Sequence, residues 1–210
     1  MNGNDCVNYT DYLGMALMPY SGDVSNLALA PNSSPLTSMS QINEQGEAGV
    51  TWPAPVATAN GTQVVISGSL ILAPTYRTNT ASPITNPETQ GHDRQNRTVA
   101  QHERDHDRDA VRHWNANLDL VNYWEGSYCK PECATLAADI ANWRNLAAYY
   151  QFQVSAAQQD LDAYANGSSM QPLFNKIQSD SQYQATHAQL QATAEIQQFI
   201  ATSGCSRPTK

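Results

Sequence analysis

From Leu136 onward, apolar residues fall at Ile140, Trp143, Ala147, Tyr150, Val154, Ala157, Leu161 and Tyr164. This strict alternation of four and three predicts one long helix carrying a continuous seam. Pro131 and Glu132 suit its first turn, and Asn166 with Gly167 suits its C-terminal end. A further helix is predicted over 173–203, with Tyr183, His187, Leu190, Ala194 and Ile200 on one face. Ahead of both, a helix starts near Thr98, a suitable N-cap, and nothing before Glu125 need break it. Gly126 and a Cys129-Lys130-Pro131-Glu132-Cys133 turn then return the chain antiparallel.

Residues 1–96 read differently, with short apolar runs among Pro, Gly, Ser and Thr. The clearest strand is 63–72, bounded by Asn60-Gly61 and Pro74, with Val50-Thr51-Trp52 as a candidate partner. Residues 5–18 fit a short helix or a strand, and 76–91 reads as a long loop. The expected fold is therefore α+β. A small, mostly antiparallel sheet in a β-rich part (1–96) packs with a long helical hairpin and a third C-terminal helix (97–210), together forming one compact domain.

Composition narrows the functions. Only 14% of residues are charged and the net charge is -8, so a phosphate-tracking surface has little to be built from and nucleic acid is an unsuitable partner. Lysine is confined to positions 130, 176 and 210. No cationic amphipathic helix and no spanning apolar run is present, which argues against membrane insertion. Cys6, Cys129, Cys133 and Cys205 form an even set that reads as two disulfides, with zinc thiolates the poorer match. The expected pairing is Cys129 with Cys133, brought together by the turn, and Cys6 with Cys205, tying the termini. An exported protein is expected, its signal removed and Met1 added for expression.

The chemistry is concentrated in QHERDHDRDAVRHW, residues 101–114, which holds three of the five histidines. His102-Glu103-Arg104-Asp105-His106 fits H-E-x-x-H, in which two imidazoles one turn apart bind zinc and the intervening glutamate acts as general base. At about 100° per residue, His106 lies only about 40° round the helix from His102, so the two nitrogens can converge. Arg104, Asp105, Arg108 and Arg112 cluster on one side of the helix, and Val99, Ala110, Trp114, Val121 and Trp124 on the other. The histidines stand at the border. The competing reading is a solvated helix laced by Asp–Arg pairs.

Zinc needs a third ligand. His113 sits roughly 10 Å beyond His106 along an unbroken helix, and Glu125 is expected to end the same helix. His187, a lone polar residue on an apolar face, is the preferred candidate, and His92 in the preceding loop is the next. Asp109 is a candidate to orient a ligand imidazole.

The order of elements resembles a bacterial family of predicted secreted zinc-dependent proteases, known as a domain of unknown function with an H-E-x-x-H helix. Leu70 to Pro74, the linker to Asn96, the helix with His102, Glu103 and His106, and Cys129 or Cys133 before the long helix would be the counterparts. Tyr183 to His187 looks similar to a Tyr-, Thr- and His-bearing segment near the family's C-terminal end. The resemblance implies a secreted zinc metallopeptidase acting on a peptide or protein substrate. The alternative is a non-enzymatic exported protein, metal-binding or part of a surface assembly, with a coincidental motif. Zinc-dependent hydrolysis of another bond is a third possibility.

Overall fold

The structure is a computed structural model that describes residues 16–35 and 45–206. Among the described residues it is α+β, with three α-helices and small, mainly antiparallel sheets. Strands β1 (Ala30–Asn32), β2 (Gly46–Glu47) and β7 (Thr75–Arg77) form one sheet, in which β7 pairs parallel with β1 and antiparallel with β2. Strands β3 (Val50–Thr51) and β6 (Ile71–Leu72) form an antiparallel pair. Strands β4 (Ala57–Asn60), β5 (Gln63–Ile66) and β8 (Gly126–Ser127) form a third, antiparallel sheet.

The strand expected over 63–72 is two strands with different partners. Gly68, at φ 144°, sits between them, a backbone conformation that L side chains rarely adopt, so the ladder breaks there. The 50–52 segment does pair with the second piece, in the register Val50–Leu72 and Thr51–Ile71. Most of the ambiguous 5–18 stretch, Cys6 included, lies outside the described residues.

Helix α1 spans Val99–Asn122. Thr98 accepts from the Gln101 backbone while the Gln101 side chain accepts from the Thr98 backbone, a reciprocal box that fixes the start of the helix. Helix α2 spans Pro131–Ala163 and α3 spans Gln171–Ala201. Trp114, Val121, Ile140, Ala141, Val64 and Ile66 are fully or almost fully buried in one apolar cluster that joins the β4–β5 hairpin to α1 and α2. Two α2 asparagines hold the incoming chain. Asn142 accepts from the Val56 and Ala57 N–H groups and donates to the Ala57 carbonyl. Asn145 accepts from Trp52 Nε1 and donates to the Pro53 carbonyl.

Helix α3 packs with a face other than the expected one. Phe174, Ser181, Ala185, Ala188, Ala192 and Phe199 are buried, whereas Tyr183, Leu190 and Ile200 are exposed. Ser181, Ala185, Ala188 and Ala192 recur at four, three and four, a seam of small residues that lets two backbones approach closely. The expected cysteine pairing is also corrected, because Cys133 is bonded to Cys205 with Cα atoms 5.4 Å apart. Cys129 is disulfide-bonded as well. Since α2 and α3 are antiparallel, the Cys133–Cys205 bond joins the first turn of α2 to the chain just past α3.

Candidate metal centre

His102 and His106 enter from the first turns of α1 and meet Asp160 from the last turn of α2. His102 Nε2 and His106 Nε2 are 3.0 Å apart, and each is 3.1 Å from Asp160 Oδ1. Among the described residues this is the one group of three His, Cys, Asp or Glu side chains placed to hold a metal ion.

Hydrogen bonding alone leaves the triangle frustrated. With both Nε2 atoms protonated, each can donate to Asp160, but two N–H groups then face one another at hydrogen-bond distance. With one deprotonated, its lone pair faces either the carboxylate or a proton already committed elsewhere. A cation resolves all three contacts together. Zinc, whose bonds to imidazole nitrogen and carboxylate oxygen are about 2.0–2.2 Å, would be held by His102 Nε2, His106 Nε2 and Asp160 Oδ1. The donor set of two imidazoles and a carboxylate therefore fits a divalent transition metal.

The loop before α1 supports the first imidazole. Asp93 accepts from the Gln95 and Arg97 backbone N–H groups and from Arg97 Nε at 2.7 Å. Asn96, between them, takes a positive φ of 60°. Arg97 also donates to Asp105 at 2.8 Å. His102 Nδ1 faces both Arg97 Nη2 at 3.0 Å and Asp93 Oδ2 at 3.4 Å. A lone pair on Nδ1 suits the arginine and a proton suits the aspartate. Ligation through Nε2 requires the second arrangement, with Nδ1–H donating to Asp93. His106 Nδ1 is buried without a hydrogen-bond partner.

Burial would raise the Asp160 carboxyl, but hydrogen bonds and charge from the two histidines hold it below the usual carboxylate range. Asp93 behaves likewise, with burial opposed by the Arg97 bonds. Asp107, one residue past His106, has no hydrogen-bond partner on either oxygen, and burial pushes it up to about 7.

Glu103 is 5% exposed and lines, with His102, His106 and Asp160, a cavity of about 680 Å³. Strand β2 crosses one wall. A Cβ on Gly46 would overlap Glu103 Oε1, so the glycine backbone lies directly on the carboxylate. Gly91, at φ 68°, is equally constrained, since a Cβ there would meet Gln45 and Val99. Phe152 and Ala156 of α2 supply apolar lining, and His92 and Arg94 polar lining.

The charged residues inside the motif face away from this cavity and are neutralised there. Arg104 makes a two-pronged contact with Glu88, at 2.8 and 2.6 Å, and donates to the Leu27 carbonyl. Asp105 pairs with Arg97 and Arg108.

The other sequence candidates fall elsewhere. His187 sits on α3 against the Trp143 and Tyr183 rings, so the third position beside the histidine pair belongs to Asp160 instead. His92 reaches the cavity wall but not the triangle. His113 lies 3.9 Å from Asp109 in a different cavity, and Glu125 accepts from the Ile66 backbone. Asp109 pairs with Arg112 and His113 rather than orienting a ligand imidazole. Asp160 was missed, and its signal in the sequence is weak: it stands one residue before Leu161, which holds the seam position between Ala157 and Tyr164. Asp162, two residues on, does not share that seam and is exposed.

Comparison of the chain with protein-family models, with curated proteins and with solved structures gives no match. Among the described residues, no helix is long and apolar enough to cross a membrane.

Proposed function

We propose that this chain is an exported zinc metallopeptidase, with His102 Nε2, His106 Nε2 and Asp160 Oδ1 as the metal ligands and Glu103 as general base. The observation that carries the reading is the triangle of ligand atoms with edges of 3.0–3.1 Å. Zinc bound there would supply Lewis acidity and lower the pKa of a water to about 7. Two imidazoles and a carboxylate also suit iron(II). The carboxylate of Glu103 beside the first ligand favours hydrolysis, because it provides a proton acceptor at the cavity.

The chain's own part is positional and electrostatic. With His102 Nδ1 protonated, Asp93 Oδ2 at 3.4 Å is its acceptor, and the capping box at Thr98 fixes the helix turn that carries the ring. Glu103 takes a proton from the attacking water and returns it to the leaving amine, a role worth about 10²–10⁴ in rate. The backbone of Gly46 confines its carboxylate. Phe152 and Ala156 give an apolar wall for a substrate side chain, and the cavity lies within the size range of small-ligand and peptide side-chain pockets. The disulfide is compatible with an oxidising, extracellular location.

The test is metal analysis with peptidase assays on wild type and Glu103→Gln. One zinc per chain in both, with proteolysis in wild type alone, is the expected result. Equal zinc with no proteolysis by wild type would favour the non-catalytic metal-binding alternative. Absence of zinc from wild type would remove both readings.

A further inference from the structure

A second cavity, of about 420 Å³, lies where the C-terminal halves of α1 and α3 rest on the middle of α2. Its apolar lining includes Leu120 and, between the helices, Ala147, Ala148 and Ala192, whose side chains are too small to fill the space. Its polar lining includes His113, Asn117 and Arg144, with Gln151, Gln189 and Thr193 beside them.

Two of these polar groups lack partners. Every other described arginine or lysine has at least one hydrogen bond or ion pair: Arg77, Arg97, Arg104, Arg108, Arg112, Lys130 and Lys176 to carboxylates, and Arg94 to the Tyr164 carbonyl. Arg144 has none, and its Nε is buried. Asn117 is 6% exposed, and its Nδ2 is buried without a partner. Buried donors are normally satisfied, so two unsatisfied donors at one cavity point to an acceptor from outside the chain.

The acceptor's chemistry follows from the count of charges. Burial pushes the His113 pKa down, leaving Arg144 to supply the positive charge. One guanidinium matches a monoanion, and its planar fork matches a carboxylate. A phosphate dianion would be only half neutralised in a chain of net charge -8. The alanines offer surface for an aliphatic chain, and the cavity falls in the range of small-molecule sites.

We propose that this cavity binds a small monocarboxylate with a short apolar chain, its carboxylate meeting Arg144 and the Asn117 amide and its chain lying on the alanines. The site is independent of the metal centre.

Titration of the full chain with sodium hexanoate, followed by NMR in 150 mM salt, tests it. Saturable binding is expected, with neutral hexanamide and inorganic phosphate each at least about tenfold weaker. Arg144→Gln, checked for folding by circular dichroism, is expected to weaken hexanoate by about tenfold or more, which places the site away from the metal ligands. The hexanamide comparison needs no variant and holds even if Arg144→Gln fails to fold. Absence of saturation, equal binding of hexanamide, unchanged binding by folded Arg144→Gln, or phosphate binding as tightly as hexanoate would each overturn the proposal.

Discussion

Replacing Asp160 by Asn removes one negative charge while keeping the shape of the side chain, and therefore isolates the carboxylate's contribution to metal binding. Asp160 Oδ1 stands 3.1 Å from each imidazole nitrogen, and a zinc–carboxylate bond is about 2.1 Å. Even with the dielectric of bulk water, a unit charge at that distance from a dication is worth about 4 kcal/mol. That converts to a zinc Kd roughly a thousandfold weaker. The lower dielectric of a side chain that is 21% exposed makes this a floor. The assay is competition against a chromogenic zinc chelator, with circular dichroism to show that the variant keeps its helices. Asp162→Asn, two residues on and exposed, is the matched control and is expected to leave Kd unchanged. If folded Asp160→Asn binds zinc within about threefold of wild type and at the same stoichiometry, the three-ligand assignment is wrong.

Gly46→Ala is expected to keep zinc and lose about a hundredfold in kcat, because its Cβ would overlap Glu103 Oε1 and displacements near 1 Å cost about that much; parallel zinc and turnover measurements check it. Cys205→Ser opens a disulfide spanning 72 residues, for which chain entropy gives about 4 kcal/mol. Its thermal midpoint should fall by about 10 °C, and reductant should lower wild type but not shift the variant through this bond. Burial raises the Glu125 pKa, opposed by the hydrogen bond from the Ile66 N–H. A raised carboxyl pKa contributes stability that is complete below its unfolded value and lost as pH rises through the folded value. Glu125→Gln, which keeps an acceptor for Ile66, is therefore expected to exceed wild type in denaturant midpoint at pH 8 and to converge with it near pH 4.

Features written in local chemistry were legible from the sequence. The start of α1 follows from a threonine cap and the residues beside it, and the convergence of His102 with His106 follows from helix periodicity alone. Features that depend on how elements meet were not. Tyr183, Leu190 and Ile200 form the more conspicuous apolar set on α3, but bulky side chains would hold two helices apart. The face that packs uses Ala185, Ala188 and Ala192, whose advantage is close approach rather than hydrophobic area. The cysteine turn misled for a related reason. Proximity in sequence favoured Cys129 with Cys133, yet Cys133 has entered α2, where it faces the chain leaving α3 and bonds Cys205.

The third ligand was hidden by register as well as by distance along the chain. His106 lies 16 residues before the end of α1 and Asp160 lies 29 residues after the start of α2, about 24 Å and 44 Å at 1.5 Å per residue. On parallel axes the ligands would stand about 20 Å out of level if the helices were joined by a tight turn. The link is longer than that. It runs from Tyr123 to Lys130 and lends β8 to β5, with Gln63 opposite Ser127 and Val64 opposite Gly126, and eight residues can extend over about 26 Å. The same excursion that completes the third sheet thus has the reach to start α2 far enough back for Asp160 to come level with the histidines. In this way a two-residue strand remote from the cavity sets the register of the site, which a search for the next histidine in the sequence has no means of detecting.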